Sequence, residues 1–463
     1  MPTSRCLSEQ PPPLALVPQH FGSVVFDRRT SRYLPFDREA TDLLRQLERN
    51  DIDSIVRTIQ HEERRAQIIA FFEDFYAHGF FTIEGKFAGA ILDVEVPEHH
   101  LAGPLALHLE VVAACNLTCT HCFAGSLPRH EEPLTLVELD DLFGQMAALG
   151  TFRLGLTGGE PLLRKDLFQI IDLATEHGLC PCVTTNGLLI TEEIAREFGR
   201  RELVWLNVSL EGASADTNDL VRGAGTFNRV LERIRILRNH SRFTLAFTVL
   251  SSNLHEIRAC AELAEELGAG TAVFRPLYPV GVARHHLELM PSYEQYNAAL
   301  NELTQLQSHH EFGMRHIDPF SPASRSDAQS VIYQNHGCGA GNLVCSVSIS
   351  GDVSPCSFLG RDSYTANVRR QSLKQIWNES RGFRAIRALP DSEPFDNGQD
   401  AARFSGGCRA RALVLNGSIN APDPWLISKQ HLWASSSASA APVHHPLSVL
   451  QLNGEGRASS APE

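Results

Sequence analysis

Between Leu105 and Arg275 six short β-type segments alternate with five longer runs whose apolar residues recur at helical spacing. The segments read as strands are Leu105 to Val112, Arg153 to Leu156, Cys182 to Thr185, Val204 to Leu210, Phe243 to Leu250 and Thr271 to Arg275. Helices fit near Leu136 to Leu149, Leu167 to His177, Glu192 to Phe198, Phe227 to Asn239 and Leu254 to Leu267. Parallel neighbours need a crossover, usually a helix, so the alternation predicts an α/β fold with a parallel sheet. Six such strands curl into a partial (β/α)6 TIM-like barrel, assigned to residues 105–310, with chemistry at the C-terminal strand ends.

At the first of those ends stands Cys115-Asn-Leu-Thr-Cys119-Thr-His-Cys122. Three thiolates within eight residues hold three corners of an iron–sulfur cubane and leave the fourth iron without a protein ligand. Such an iron can chelate the amino and carboxylate groups of S-adenosylmethionine, and one electron from the cluster then releases a 5'-deoxyadenosyl radical. Buried structural cysteines and a Cys-x-x-Cys zinc or redox pair are the bland readings. A structural zinc site wants four closed ligands, and His121, between two cysteines, is expected to point elsewhere.

Composition narrows the class. With 463 residues, 43% of them hydrophobic, the chain affords a large core and smaller end modules. A net charge of -13 opposes binding to phosphate backbones, so no nucleic-acid partner is expected. No apolar run reaches about 18 residues, and Met1 to Pro13 lacks a signal-peptide pattern. These features predict a cytoplasmic protein with no membrane association. Eleven cysteines there imply metal rather than disulfides.

The cysteine loop resembles that of the radical S-adenosylmethionine superfamily, and the resemblance runs from about Leu105 to Arg275. It implies a 4Fe-4S cluster on Cys115, Cys119 and Cys122, with S-adenosylmethionine bound to it. Gly158, Gly159 and Glu160 match the family's GGE motif for the methionine amino group. Thr184, Thr185 and Asn186 end the third strand, and Ser209 and Glu211 end the fourth, where relatives contact the cofactor's methionine and ribose. Arg222 matches a position near the cofactor carboxylate, and Arg275-Pro276 is a weaker match. No catalytic acid or base is assigned.

Cys338, Cys345, Cys356 and Cys408 lie among glycine turns in residues 335–427, which resemble the SPASM extension of peptide-modifying radical enzymes. The resemblance implies one fully ligated auxiliary 4Fe-4S cluster. Cysteines usual for a second cluster are missing, as at Phe404 and Leu426, so no second is expected. Cys180, Cys182 and Cys260 read as buried small apolar residues. The Ser/Ala/Pro-rich stretch 428–463 reads as a disordered tail.

The N-terminal residues 14–90 read as strands at Gly22 to Phe26 and Ser31 to Leu34, three helices, and a returning strand at Phe80 to Ile83, with a linker from Gly85 to Pro104. This winged-helix-like unit resembles the peptide-recognition domain related to the pyrroloquinoline-quinone peptide chaperone. The resemblance implies that a precursor-peptide leader adds as an edge strand along Phe21 to Asp27 or Ser31 to Phe36. The whole implies a maturase of a ribosomally made peptide, by crosslinking or oxidative decarboxylation, served by an external electron donor such as flavodoxin or ferredoxin. Two rivals are an enzyme acting on a tetrapyrrole or other small molecule, and a non-enzymatic iron–sulfur DNA-binding regulator.

Overall fold

A computed structural model describes residues 11–124, 132–307, 312–316, 338–360, 363–389 and 407–425. It divides into two compact units, one holding the residues up to Ala102 with Ala148–Gly150, the other the remaining described residues.

The N-terminal unit contains β1 (Leu14–Gln19), β2 (Gly22–Asp27), β3 (Arg32–Asp37), α1 (Arg38–Gln46), α2 (Ile52–Thr58), α3 (Glu62–Ala77) and β4 (Gly89–Ile91). Its sheet runs β3-β2-β1-β4, antiparallel except for β1 with β4. Asp37 and Asp51 start α1 and α2 by accepting from the backbone N–H groups of Ala40 and Ser54, the usual N-cap chemistry. Ile68, Phe71, Phe72 and Phe75 form the buried face of α3, and Phe75 meets Phe36 of β3 at 5.3 Å between ring centres.

Three differences from the sequence reading appear in this unit. β1 was not anticipated because all six of its positions are buried, so it lacks the alternation that marks a half-buried strand. β4 falls in the expected linker, since a Gly-Ala-Ile segment gains its strand only by pairing with β1. Phe80 to Ile83 supplies just the bridge Phe81↔Phe87.

In the second unit all six expected strands form, in chain order and parallel: β5 (Ala106–Val112), β6 (Arg153–Gly158), β7 (Cys180–Thr185), β8 (Trp205–Ser209), β9 (Thr244–Val249) and β10 (Thr271–Pro276). Helices α4 (Leu136–Ala148), α5 (Leu167–Glu176), α6 (Glu192–Gly199), α7 (Ala215–Arg222), α8 (Thr226–Leu237), α9 (Ile257–Glu266) and α10 (Tyr293–Gln307) interleave and follow. The sheet then grows at both edges. β11 (Gly313–His316) joins β10, and β12 (Val344–Val347) lies parallel to β5, followed by antiparallel β13 (Asp352–Ser354) and β14 (Ala366–Asn367).

Along β5 burial alternates. Leu107, Leu109 and Val111 are in the core, whereas His108 and Glu110 are half-buried on the opposite face, which lines the barrel lumen. The cysteine-bearing region thus shares the barrel's sheet, and it has more core than its turn-rich sequence suggested. α11 (Leu373–Glu379) and α12 (Arg381–Arg387) bury Trp377, Phe383 and Ile386, and α13 (Arg409–Asn416) buries Ala410 and Ala412. The stretch 428–463, Phe404, Leu426 and Cys6 lie outside the described residues.

Candidate metal centre

The loop after β5 carries Cys115, Cys119 and Cys122 to the C-terminal end of the sheet. Cys115 is exposed, and the other two are half-buried. Cys119 and Cys122 both feel the Cys115 thiol. Burial pushes Cys119 up to about 11 and Cys122 also up, the neighbouring thiols add to this, and Arg222 opposes it. Backbone bonds hold the loop on two sides: Thr120 N donates to Val221 O at 3.0 Å, and Val282 N to Cys122 O at 2.8 Å. Gly281, unremarked in the sequence, makes the second contact possible. It sits at φ +63, and a Cβ there would lie 2.1 Å from Phe123 O and 2.6 Å from Cys122 O.

The Gly-Gly-Glu turn packs under this loop. A Cβ on Gly158 would fall 2.3 Å from Val112 O, and one on Gly159 2.1 Å from Ala114 O, so both glycines admit the cysteine loop's own backbone. Glu160, 1% exposed, accepts from Thr185 Oγ1 (2.7 Å), Asn186 N (2.7 Å) and Leu162 N (3.1 Å). Burial raises its carboxyl, against these donors and Arg222. Asn186 in turn donates from Nδ2 to Asn116 Oδ1 at 2.7 Å and to Cys115 Sγ at 3.9 Å. Thr184 accepts from Asn207 Nδ2 at 3.2 Å, and Ser209 is half-buried at the end of β8.

Glu211 anchors the other side. Its Oε1 takes Arg222 Nη2 at 2.7 Å and meets His121 Nε2 at 3.1 Å, while its Oε2 accepts from Thr248 N at 2.6 Å. Burial alone would raise this carboxyl, but His121 and Arg222 outweigh it and hold it low. His121 therefore turns away from its cysteine neighbours. Arg222 is 7% exposed; its burial is overcome by Glu211 and the Cys119 thiol, which keep it charged. Its Nε, like His121 Nδ1, is buried without a hydrogen-bond partner.

In the C-terminal region Cys338, Cys356 and Cys408 share one cluster with Val280, Leu359 and Ile386. Burial raises Cys356 and Cys408, the latter to about 12, and Cys338 adds to both. Cys345 is not among the residues packed together there. Strand alternation puts it on the face of β12 shared with Leu107 and Val347, opposite Ser346 and His108, and its charged neighbour is Arg387. Asp423 fixes Cys408 by accepting its N–H at 2.8 Å, and is paired with Arg411 at 2.6 Å. Cys182, expected in the core, instead lines the lumen and receives Asn207 Nδ2 at 3.4 Å, while Cys180 and Cys260 are buried.

Among the described residues no three Cys, His, Asp or Glu side chains converge closely enough to hold a single metal ion. Each cysteine group offers the thiol donors that an iron–sulfur cluster takes. The donors are thiols in each case, and Arg222 supplies compensating charge at the first. A partial barrel with such a loop at its mouth defines an iron–sulfur barrel enzyme.

Comparison with known proteins agrees. Residues 109–264 match the radical SAM superfamily model, and residues 338–403 match an iron-sulfur cluster-binding domain, SPASM. The chain is 31% identical to the AdoMet-dependent heme synthase of Methanosarcina barkeri over 342 residues, 70% of this chain and 96% of that protein. It is 30% identical to the mycofactocin maturase MftC of Mycolicibacterium smegmatis over 344 residues, 72% of this chain and 84% of that protein. In fold it is similar to Streptococcus suis SuiB bound to its precursor peptide SuiA, with TM-score 0.65, 14% identity, and 89% of this chain and 97% of that chain covered. The chain belongs to the radical S-adenosylmethionine superfamily, in its SPASM-bearing branch, and is an enzyme whose cofactors are S-adenosylmethionine and iron–sulfur clusters. No helix among the described residues is long and apolar enough to cross a membrane.

Proposed function

We propose that this enzyme modifies a ribosomally synthesised precursor peptide, holding the leader on its N-terminal unit while the core segment reaches the barrel lumen. The observation that carries the reading is the edge of the four-stranded sheet. β2 is hydrogen-bonded on both sides, so Phe21 to Asp27 is unavailable to a peptide, contrary to one of the two placements above. β3 is a terminal strand of the sheet order, and Arg32–Asp37 presents the backbone groups that an added strand pairs with. The likeness to MftC in sequence and to peptide-bound SuiB in fold supports the same reading.

Cys115, Cys119 and Cys122 hold the cluster that binds S-adenosylmethionine, and Cys338, Cys356 and Cys408 hold the auxiliary one. When bound, these groups supply reductive cleavage of the sulfonium and a 5'-deoxyadenosyl radical that abstracts a hydrogen atom. The chain's own residues position and shield. Glu160 and Asn186 fix the side of the loop at Cys115, and Glu211 orients His121 and Arg222 beneath Cys119. Gly281 closes the loop from the far side. The electron comes from a separate small donor such as flavodoxin or ferredoxin.

The 31% identity to a heme synthase favours a second reading, in which the substrate is a tetrapyrrole. Anaerobic incubation with a candidate precursor peptide, S-adenosylmethionine and reductant decides between them by product mass. Loss of about two mass units marks a crosslink and loss of about 44 carbon dioxide. An unchanged peptide beside a decarboxylated porphyrin overturns the peptide reading.

A further inference from the structure

The barrel lumen carries an arginine that neither the clusters nor the fold uses. Arg275, near the C-terminal end of β10, extends toward His108 of β5 and Cys182 of β7, both of which feel its charge. Its Nε is buried and without a hydrogen-bond partner, and no carboxylate among the described residues lies within ion-pair distance of it. Other arginines drawn into the fold are paired: Arg164 has Asp166, Arg222 has Glu211 and Arg411 has Asp423. Arg275 is half-buried, with its Nε withdrawn from water and no protein anion on it, which leaves the guanidinium to take an anion that enters the lumen.

The surroundings agree. His108, which feels the Arg275 charge, has Nδ1 3.0 Å from Ser357 Oγ, and a Cβ on Gly155 would come within 2.9 Å of its Cδ2. Burial, aided by the Arg275 charge, lowers His108 to about 4, so the imidazole is neutral at neutral pH and leaves the positive charge unshared. Asn207 and Thr184 line the neighbouring strands. Arg153 stands over the Trp205 ring at 5.7 Å, and its charge is also felt at Cys182. This part of the lumen is therefore polar, with the guanidiniums of Arg275 and Arg153 on it and the Glu110 carboxylate farther along β5.

We propose that Arg275 is a specificity residue: its guanidinium, with His108 beside it, receives a carboxylate of the substrate inside the barrel. This rests on the enzyme having a substrate in the lumen, and it names that substrate's chemistry. A carboxylate is the group that a planar guanidinium binds by two parallel hydrogen bonds. It has two sources, a C-terminal or side-chain carboxylate of a peptide and a propionate of a porphyrin, and the test separates them.

The probes are an N-acetylated dipeptide with a free carboxylate, the same dipeptide amidated, protoporphyrin IX and its dimethyl ester. Each is titrated calorimetrically into the anaerobically reconstituted full chain holding S-adenosylmethionine. The acid of one pair is expected to bind at least about tenfold more tightly than its neutral partner, as a charge-assisted contact requires. Arg275→Gln should abolish that preference by weakening the acid alone, and Arg275→Lys, which keeps the charge, should restore part of it. Preference confined to the porphyrin pair keeps the carboxylate site and overturns the peptide reading; preference in the peptide pair supports both. Equal binding within both pairs, or no saturable binding of either acid at millimolar concentration, overturns the site. So does an Arg275→Gln variant that loses affinity for S-adenosylmethionine instead, since the guanidinium would then serve the cofactor.

Discussion

Replacing Asp423 with Ala should unfold the C-terminal region more readily than any surface change there, and should release iron from the auxiliary site. Asp423 and Arg411 are 1% and 2% exposed. The carboxylate accepts four hydrogen bonds: Arg411 Nε at 2.7 Å, Arg411 Nη2 at 2.6 Å, Cys408 N at 2.8 Å and Trp425 N at 3.1 Å. Truncation leaves the buried guanidinium without its carboxylate, over the Trp425 ring 4.1 Å from its central carbon. Breaking a buried pair from one side costs about 3–5 kcal/mol, a large share of the roughly 5–15 kcal/mol that keeps a domain folded. Urea unfolding of the full chain, followed by circular dichroism, reads the loss against the exposed control Glu379→Ala. Changing both partners, Arg411→Met with Asp423→Leu, removes the stranded charge and should recover most of the stability. Cys408 N then still lacks its acceptor, so auxiliary iron should stay low while stability returns. Asp423→Ala unfolding at the same urea concentration as Glu379→Ala would refute the reasoning, and full iron in the double variant would refute the link to Cys408.

Gly281→Ala should diminish iron at the three-cysteine loop, because its Cβ meets Phe123 O at 2.1 Å and the positive φ adds strain; iron assay and the cluster's visible absorbance read this, with unchanged loading counting against it. Cys345→Ser should retain full iron, whereas Cys338→Ser, Cys356→Ser and Cys408→Ser should each lose the auxiliary share; equal losses in all four would place Cys345 among the ligands. His108, lowered from 6.5 to about 4, binds its proton more readily when unfolded, so its contribution to stability is present above pH 6.5 and is lost as pH falls toward 4. His108→Gln should flatten the stability profile across that window, and a profile as steep as the parent's would refute this assignment.

How far the sequence could be read depended on how local the signal is. The six parallel strands and the cysteine loop are written in contiguous residues, with a period or a spacing that the chain carries wherever it folds. β1 and β4 are not: one is buried along its whole length, and the other is three residues given strand form by a neighbour. The site shows the same contrast. Gly158, Gly159 and Glu160 were legible as a motif, but their task of admitting the cysteine loop's backbone appears only when Val112 and Ala114 are set against them. Gly281 carries no motif, and nothing local assigns Asp423 its task, because each acts on a cysteine segment distant in sequence. The resemblance groups Cys345 with the other three, whereas the pleat of β12 sets it on the face shared with Leu107 and Val347, away from Ser346 and His108.

The buried charges near the cysteine loop make sense together rather than singly. Glu211 is withdrawn from water, and its ion pair with Arg222 repays that desolvation only in part, because buried pairs at best roughly balance their own cost. The network leaves Arg222 Nε and His121 Nδ1 without acceptors, so it is incomplete as a purely structural device. Its arrangement gains a purpose once Cys119 and Cys122 are deprotonated, since Arg222 already opposes the rise that burial forces on both thiols. Metal ligation requires thiolates, and a fixed positive charge beside them lowers the proton-release cost of loading iron. Glu211 then acts as a positioning group, holding Arg222 at that distance. Its ties to Thr248 on β9, through the backbone N–H at 2.6 Å, and to His121 within the loop join the thiols to the rigid sheet.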